Sequence, residues 1–264
     1  MQYNYINVNS VLKKITTKDK LFFGNYSIDP YQNCELACLY CDSSFDKTIY
    51  IKSNAADVFR KELYKQNNGI VIVGSVHDPY QPIEKKEKIT RSLLETIAES
   101  NFSCHILTKS DLVLRDLDLI SKINNCIVTI SVSSNKKTIK NIFEKNICSF
   151  ERRINTINKL VNSNINSGLA IIPVLPFITE NELNKIFKTA KEHNANYVIY
   201  KHLELKGDQK NIFFDILKSN FPNLLSKYKQ IYKNSYMPNK EYLNEINTYF
   251  SNLYNKYLIK KSIF

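Results

Sequence analysis

The chain has 264 residues, a formal net charge of +12 and 43% hydrophobic residues. This length fits one large α/β domain with a substantial buried core. No segment approaches the roughly 20 consecutive apolar residues of a membrane-spanning helix, and the N-terminus lacks the apolar run of an export signal. Six cysteines in a chain of this length do not indicate a small disulfide scaffold. We therefore expect a soluble protein of the reducing cytoplasm, with one main domain.

The positive charge allows two interpretations. Phosphate neutralisation by basic side chains supplies most of the sequence-independent affinity of proteins for nucleic acids. However, the basic residues are 32 Lys and only 5 Arg, in a chain rich in Asn and Ile and without Trp. An AT-biased genome would impose this composition on any protein. The charge alone therefore does not decide whether the protein binds nucleic acid.

In chain order, short apolar segments rich in β-branched residues alternate with longer amphipathic segments. The predicted strands, near-continuously apolar as parallel strands are, lie at residues 25–31, 69–76, 102–109, 126–134, 167–176 and 196–205. Predicted amphipathic helices lie at residues 83–100, 111–123, 149–163 and 180–193. This repetition predicts βαβ units with right-handed crossovers. About six units are fewer than the eight of a closed barrel, so we predict an α/β fold, a partial (β/α)6 barrel of TIM type.

The alternation stops near residue 206, and the rest of the chain has a helical pattern. We predict a barrel over residues 1–205 and a C-terminal helical extension over residues 206–264 that packs on it. This extension contains seven tyrosines and ten lysines. They could form an aromatic and basic binding face. The interpretation that we favour is that the tyrosines pack on the barrel and the lysines are solvated.

Three cysteines, Cys34, Cys38 and Cys41, lie close together with the spacing C-x3-C-x2-C. They could ligate zinc or an iron-sulfur cluster. A structural zinc site has four ligands, and no further Cys or His at matching spacing offers the fourth. A [4Fe-4S] cluster held by three thiolates has one iron without a protein ligand, and that iron can chelate S-adenosylmethionine (SAM). One electron from the cluster then cleaves the sulfonium of SAM and produces a 5'-deoxyadenosyl radical. Three buried structural cysteines, or zinc in a non-catalytic nucleic-acid-binding module, are the alternatives.

The cysteine spacing resembles the signature of the radical SAM superfamily, whose fold is a partial (β/α)6 barrel. Three segments resemble, in order and spacing, its spore photoproduct lyase-like branch, also described as DNA repair photolyase-like proteins: IDPYQNCELACLYC, SVHDPYQPIEKKEKITRSLLETI and ILTKSDLVLRDLDLI. The resemblance covers about residues 24–205. It implies a [4Fe-4S] cluster and SAM as cofactors, an electron donor such as a flavodoxin or ferredoxin, and hydrogen abstraction from a substrate, with nucleic acid slightly favoured over a peptide or small molecule.

The resemblance also implies residue roles around the cofactors. The three cysteines would hold the cluster, and Tyr40 would lie beside the adenine of SAM. Lys109 ends a predicted strand at the carboxyl-terminal rim, where barrel enzymes place ligand groups, and could pair with the SAM carboxylate. A solvated lysine is the alternative.

Two further strand ends resemble the family's hydrogen-bonding positions for SAM, and they carry Ser75 and Ser131. Ser133 points to the same side of its strand as Ser131, so either of the two could be the contact. Gly74 would allow the backbone to approach the cofactor closely. Residues 171–176, IIPVLP, would lie along the adenine.

The loop HDPYQP holds the predicted catalytic candidates, Asp78 and Tyr80. Both follow the second strand on the side of the substrate, so contact with the substrate or relay of a radical is one interpretation. The other is a rigid turn, which Asp-Pro begins and from which Pro82 opens the next helix. We expect the four histidines, together with Cys104, Cys126 and Cys148, to have packing or surface roles.

The chain departs from the lyase pattern at one position. The lyase has a hydrogen-donating cysteine about two residues before the position of Ser75, where this chain has Val73, and no cysteine lies between residues 42 and 103. Reversal of a thymine dimer is therefore not expected. Either another residue, such as Tyr80 or Tyr200, quenches the radical, or the substrate and reaction are different.

Overall fold

A computed structural model of the chain describes residues 1–17, 19–42 and 46–264. The strands are β1 (Gln2–Ile6), β2 (Lys13–Lys14), β3 (Tyr26–Ile28), β4 (Tyr31–Gln32), β5 (Thr48–Lys52), β6 (Ile70–Val73), β7 (Ser103–Thr108), β8 (Cys126–Val132), β9 (Asn166–Val174) and β10 (Val198–His202). The α-helices are α1 (Ala55–Leu63), α2 (Glu84–Glu87), α3 (Ile89–Ala98), α4 (Leu117–Ile120), α5 (Lys137–Phe143), α6 (Phe150–Asn162), α7 (Leu183–Glu192), α8 (Gln209–Asn220), α9 (Leu225–Ile231) and α10 (Lys240–Tyr257).

The larger sheet has the strand order β10-β9-β8-β7-β6-β3-β2. The strands from β10 to β3 run parallel, and β2 pairs antiparallel with β3. Among the described strands, β10 and β2 are the two ends of the sheet, so the barrel is open. The central strand β8 is buried along its whole length, because helices cover one face and the barrel interior the other. The predicted α/β fold with a partial barrel is confirmed.

The register of the parallel strands determines where the functional groups meet. Val73 pairs with Ile106, and Thr108 pairs with Ile130. The residues that follow β6 and β7, and those at the end of β8, therefore lie along the same carboxyl-terminal rim of the sheet. In barrels of this kind the active site is built on that rim.

A second sheet, with the order β1-β5-β4, was not predicted from the sequence. β1 runs parallel to β5, and β4 pairs antiparallel with it. The hydrophobic pattern of this second sheet is weak in the sequence, because β1 is largely exposed and β4 has only two residues. Two residues are too few to show the alternation of a strand. Its position matters because β4 leads directly into the cysteine-containing loop.

Two of the predicted helices are less regular than their periodicity indicates. The helix predicted over residues 83–100 is divided into α2 and α3 at Lys88, whose φ of 54° is left-handed. The helix predicted over residues 111–123 begins as the 3-10 helix Asp111–Asp116 before α4. The Ser110 side chain accepts a hydrogen bond from the Leu112 N–H at its start. No described helix combines the length and apolarity needed to cross a membrane.

The helices α8, α9 and α10 pack against the barrel through aromatic residues. Phe143 of α5 stacks on Phe213 and Phe221, with ring centroids 5.6 and 5.9 Å apart. The Tyr228 hydroxyl donates to the Pro176 carbonyl over 2.7 Å, and the Tyr254 hydroxyl donates to the Val198 carbonyl over 2.8 Å. Both tyrosines thus use the ring for packing and the hydroxyl for a backbone carbonyl of the barrel.

We predict that the barrel and the C-terminal helices unfold together. Phe143→Ala should lower the free energy of unfolding by about 3–5 kcal/mol, because it removes the ring on which both C-terminal phenylalanines stack. Urea unfolding followed by circular dichroism should show one transition at a lower midpoint. Tyr64→Ala is the control, since Tyr64 is 77% exposed and its loss should change stability by less than about 0.5 kcal/mol. Two separate transitions in the Phe143→Ala variant would contradict a shared core.

Candidate active site

The three cysteines of the predicted cluster site lie on one tight loop after β4. The Cys41 N–H donates to the Cys38 carbonyl over 3.0 Å, and the Ala37 N–H donates to the Cys34 carbonyl over 3.4 Å. Cys34 and Cys38 are buried, Cys41 is half-buried, and all three are free thiols. One short loop therefore carries all three potential thiolate ligands.

Two buried polar side chains, Gln81 and Glu35, hold the cysteine loop against the chain that follows β6. Gln81 accepts a hydrogen bond from the Glu35 N–H over 2.8 Å and donates to the Asn33 carbonyl over 3.2 Å. Glu35 in turn accepts from the Ile83 N–H and from the Tyr3 hydroxyl, both over 2.6 Å. Sequence analysis missed both side chains. Only the tertiary structure shows that HDPYQP positions the loop through Gln81.

Burial makes two thiols of the loop weak acids. It raises the pKa of Cys34 to about 12 and also raises the pKa of Cys38, whereas the charge on Lys109 acts to lower both. Metal ligands are thiolates, so a bound cationic centre would lower these pKa values further. The loop is therefore suited to a ligated centre that supplies positive charge.

The arrangement of donors fits a cluster better than a single ion. In the part of the chain that the structure describes, no group of three His, Cys, Asp or Glu side chains could hold one metal ion. A [4Fe-4S] cluster requires a different arrangement, because each thiolate ligates a different iron. Three free thiols on one loop are the donor set that such a cluster would use.

Lys109 follows β7 and lies between the cysteine loop and the strand ends. Its ammonium is 5.9 Å from the centre of the Tyr40 ring. Burial alone would lower the pKa of Lys109, but the neighbouring groups Cys38 and Glu144 raise it above its ordinary value. Lys109 is therefore a cation held at the site, as pairing with a ligand carboxylate requires.

Asp78 is engaged in positioning this lysine. Its carboxylate accepts hydrogen bonds from the Lys109 N–H over 2.7 Å, from the Thr108 hydroxyl over 2.6 Å and from the Tyr80 N–H over 2.9 Å. Burial raises the pKa of Asp78, although these donors act to lower it. Both carboxylate oxygens have partners within the chain, which favours the rigid turn over the predicted contact with a substrate.

Tyr80 is a buried residue of the turn after β6, and it shares the lining of a second cavity with Lys109. It is 1% exposed, its ring centre is 5.9 Å from the Arg115 guanidinium carbon, and Leu36 and Cys148 border the same second cavity. Tyr80 is not among the residues that line the cavity bordered by Tyr40 and Ser131, and its catalytic role stays a prediction. The hydrophobic periodicity of the sequence could not predict where the Tyr80 side chain lies, because the direction of a loop side chain depends on the turn that carries it.

Tyr40 is fixed by a buried polar network. Its hydroxyl donates to the Glu144 carboxylate, and the Ser133 hydroxyl lies 2.9 Å from both groups. Glu144 forms a fully buried ion pair with Arg153, 2.8 Å apart. Burial would raise the pKa of Glu144, but the charges of Arg153 and Lys109 outweigh it and lower that pKa. Sequence analysis identified Tyr40 but missed the ion pair behind it.

One cavity of about 290 Å³ connects most of the predicted cofactor residues. Its walls include Tyr40, Gly74, Ser75, Lys109 and Ser131, together with Cys41, Asp78 and Pro173. Ser133 does not line it, because its hydroxyl is bonded to the Tyr40 network. Of the two alternating serines, the structure thus places Ser131 in the cavity.

Gly74 has a steric role beside its place in the cavity wall. Its φ is +86°, which disfavours any other residue, and an added Cβ would lie 2.3 Å from Pro79 and 2.9 Å from the Leu107 carbonyl. We predicted that Gly74 allows the backbone to approach a cofactor closely. In the structure, the atoms that lie close to Gly74 are those of Pro79 and Leu107.

A further part of the cavity wall comes from the end of β10 and the chain after it, which sequence analysis missed. These residues are Lys201, His202, Leu203, Glu204, Lys206 and Gln209. His202 could have been predicted, because β10 should end on the same rim as the other parallel strands. Gln209 could not, because it follows the predicted barrel and nothing in the local sequence indicates which way its side chain turns.

The cavity also contains buried polar atoms without partners. The atoms are His77 Nδ1, His202 Nδ1 and Gln209 Oε1, none of which has a hydrogen-bond partner among the described residues. Buried polar groups are normally bonded to protein, water or a ligand. Together with the adjacent thiols, these unpaired atoms fit a cavity that binds a polar ligand such as SAM.

The remaining histidines and cysteines have the packing roles expected of them, with one exception. His105 is buried and 2.6 Å from the Thr129 hydroxyl, and Cys104 pairs with Cys126 in the register of β7 and β8. Cys148 is only half-buried and borders the second cavity. Among the described residues that line the first cavity, Cys41 is the only thiol.

A sequence model of the radical SAM superfamily matches residues 28–190. An uncharacterized protein of Methanocaldococcus jannaschii is 30% identical over 220 residues, which cover 80% of this chain and 82% of that protein. The spore photoproduct lyase of Clostridium acetobutylicum is 23% identical over 260 residues, which cover 91% of this chain and 76% of that protein.

Among solved structures, a spore photoproduct lyase variant with bound SAM and dinucleoside spore photoproduct superposes with a TM-score of 0.69 at 16% identity. The match covers 97% of this chain and 79% of that chain. At this identity, the likeness establishes the fold and leaves the substrate open.

We predict that the Glu144–Arg153 pair stabilises the site only as a pair. Arg153→Met should lower the free energy of unfolding by about 3–5 kcal/mol at neutral pH, because it leaves the buried Glu144 carboxylate without its counter-charge. Adding Glu144→Gln should recover part of that loss. The loss in free energy of unfolding of Arg153→Met should also become smaller as the pH falls toward 4.5, the ordinary pKa of the Glu144 carboxyl. Protonation of Glu144 then removes the unpaired buried charge. Urea unfolding of all three proteins at several pH values measures this, and equal losses in the single and double variants would argue against the coupling.

Proposed function

This chain belongs to the radical SAM superfamily, and from that membership we propose that it cleaves SAM reductively at a [4Fe-4S] cluster and abstracts hydrogen from a substrate. The observation that carries the proposal is a loop with three free thiols, one of which lines a cavity that the half-buried Lys109 also lines. When bound, the cluster and SAM would supply the electron transfer and the 5'-deoxyadenosyl radical. The sequence of this chain determines how both are held.

Lys109 and two serines are the residues that we assign to SAM. The Lys109 ammonium would pair with the carboxylate of the methionine moiety, in a site where burial strengthens the attraction. Ser75 donates its proton to Asp29 and Ser131 donates its proton to the Ile172 carbonyl, both over 3.0 Å. Both hydroxyls therefore offer acceptors to a ligand, which suits the ammonium or the ribose hydroxyls of SAM.

Cys34, Cys38 and Cys41 would hold the cluster, and Tyr40 would lie against the adenine. An electron donor such as a flavodoxin or ferredoxin would supply the electron. The six cysteines of the chain are all free, which supports a reducing cytoplasmic location.

Nucleic acid is the substrate class that we favour. The support is the fold of spore photoproduct lyase, one structure of which contains a dinucleoside spore photoproduct, together with the net charge of +12. We do not propose thymine-dimer reversal, because Val73 stands near the position of the lyase's hydrogen-donating cysteine. The only thiol among the described cavity-lining residues is an expected cluster ligand.

The cluster prediction can be tested by anaerobic reconstitution with iron and sulfide. The wild-type protein should turn brown and hold about four irons and four sulfides, the cubane stoichiometry. Cys38→Ala should lose the iron-sulfur absorbance because a ligand is missing. Cys126→Ala is the matched control, since Cys126 is a buried cysteine of β8, and it should keep the absorbance. A colourless wild-type protein with one bound zinc would refute the proposal in favour of the metal-binding module.

The role of Lys109 can be tested separately. Lys109→Met should keep the cluster absorbance and weaken SAM binding about tenfold to hundredfold, the effect of losing one buried charged hydrogen bond. Lys201→Met is the control, because Lys201 also borders the cavity but pairs with Glu204 over 2.9 Å. Anaerobic calorimetric titration with SAM gives both affinities. Equal affinities for SAM in wild type and Lys109→Met would remove this lysine from the SAM site.

A further inference from the structure

A second cavity, of about 570 Å³, borders the cysteine loop. Lys109 is the only described residue that lines both this cavity and the cavity assigned to SAM. Leu36, which lies between Cys34 and Cys38 in the chain, is part of the wall of the second cavity. The second cavity therefore reaches the middle of the loop that would hold the cluster, and apart from Lys109 its wall is distinct from that of the SAM cavity.

The segment between α5 and α6 connects this wall to the cysteine loop. Asn146 lines the second cavity, and its Nδ2 donates to the Glu35 carbonyl over 3.3 Å. Glu35 is the neighbour of Cys34 in the chain. An electron that arrives at this wall would thus have a short path, through one hydrogen bond and the backbone, to a proposed cluster ligand.

The wall of the second cavity carries an excess of positive charge. Its ionic residues are one carboxylate, Asp111, and the five cations Lys85, Lys109, Arg115, Lys145 and Arg152. Arg115 is paired with Glu84 over 2.6 Å and with Asp116 over 2.7 Å. Arg152 is paired with Asp111. With these three carboxylates counted, the wall still holds two more cations than anions.

Lys85 and Lys145 are the cations of this wall that the chain itself does not pair. Both are exposed, and neither has a carboxylate partner in the described part of the chain. A lysine ammonium is a hydrated point charge on a flexible stem, so it attracts an acidic surface without a fixed geometry. The arginines, which could bind a phosphate bidentately, are occupied by carboxylates. The wall is therefore suited to brief docking of an acidic protein better than to fixed recognition of a phosphodiester.

We propose that this wall, with Lys85 and Lys145, is the docking surface for an acidic electron-carrier protein that reduces the cluster. The inference rests on the proposed function and specifies the surface that its electron donor uses. The substrate must reach SAM, whose assigned contacts line the first cavity, whereas Leu36 belongs to the second cavity alone. Electron-transfer encounters use small interfaces, and complementary charge speeds them. In the docked complex the reduced carrier gives one electron to the cluster, and no bond is formed or broken.

The test uses the anaerobically reconstituted protein and reduced flavodoxin, an acidic electron carrier. Stopped-flow absorbance follows reduction of the cluster. The double variant Lys85→Glu with Lys145→Glu should be reduced about tenfold more slowly than wild type at low ionic strength, because repulsion replaces attraction. Added salt should slow the wild type and bring the two rates together. Excess dithionite should reduce the cluster fully in both proteins, since a small reductant needs no docking surface.

The matched control is the double variant Lys122→Glu with Lys159→Glu, which changes the net charge by the same amount. Both lysines are exposed. Lys122 precedes β8, and Lys159 lies in the last turn of α6, before β9. They are therefore at the end of the barrel opposite the carboxyl-terminal rim, and this variant should accept electrons from flavodoxin at the wild-type rate. Lys85→Gln with Lys145→Gln, which removes the charges without reversing them, should give a smaller loss than the glutamate variant.

Three results would overturn the proposal. The first is an equal rate of reduction by flavodoxin in wild type and the Lys85 and Lys145 glutamate variant, or an equal loss in the control variant, which would trace the effect to net charge. The second is a loss of cluster absorbance in both the glutamate and the glutamine variants, which would give the two lysines a role in holding the cluster. The third is weaker binding of a single-stranded oligonucleotide with an unchanged rate of reduction, which would assign the wall to nucleic acid. Formation of 5'-deoxyadenosine from SAM with dithionite tests the proposed function separately, because reduction of the cluster is measured without SAM.

Discussion

The ion pair between Glu144 and Arg153 is the interaction on which the candidate active site depends. Both side chains are buried, so neither charge is tolerable without the other. Arg153 also donates to the Ser131 carbonyl over 2.9 Å, and Glu144 accepts from the Tyr40 hydroxyl. The pair thus connects α6, the end of β8 and the cysteine loop. Its net charge is zero, which leaves Lys109 as a cation available to a ligand.

The cavity has two chemically different sides, and they come from different parts of the fold. Strand ends in the middle of the sheet supply Lys109, Ser75 and Ser131, a cation and two acceptors suited to the zwitterionic SAM. The last strand and the chain that follows it supply the charged residues Lys201, Glu204 and Lys206 together with His202 and Gln209. Because the sheet is open, β10 and the cysteine loop are free to approach each other across the gap, and Gln209 bonds to Leu39 at that point. The C-terminal helices are therefore part of the cavity wall as well as a packing layer.

One residue departs from the pattern of spore photoproduct lyase, whose fold this chain shares. Val73 is a fully buried residue of β6, near the position where the lyase has its cysteine. The shared barrel therefore leaves the substrate open, because residues outside the cysteine loop can change without affecting that loop.

The sequence by itself determined the barrel, the cysteine loop and the rim positions of Ser75 and Lys109. Near-continuous apolar strands specify a parallel sheet, and parallel strands bring their carboxyl ends to one rim. The tertiary structure alone decided that Asp78 caps the turn at Lys109, that Tyr80 lies outside the cavity, and that Gln209 enters it. Periodicity reports which face of a strand or helix is buried. The direction of a loop side chain depends instead on hydrogen bonds to residues far away in sequence, such as the bond from Gln209 to Leu39, and no local pattern encodes them.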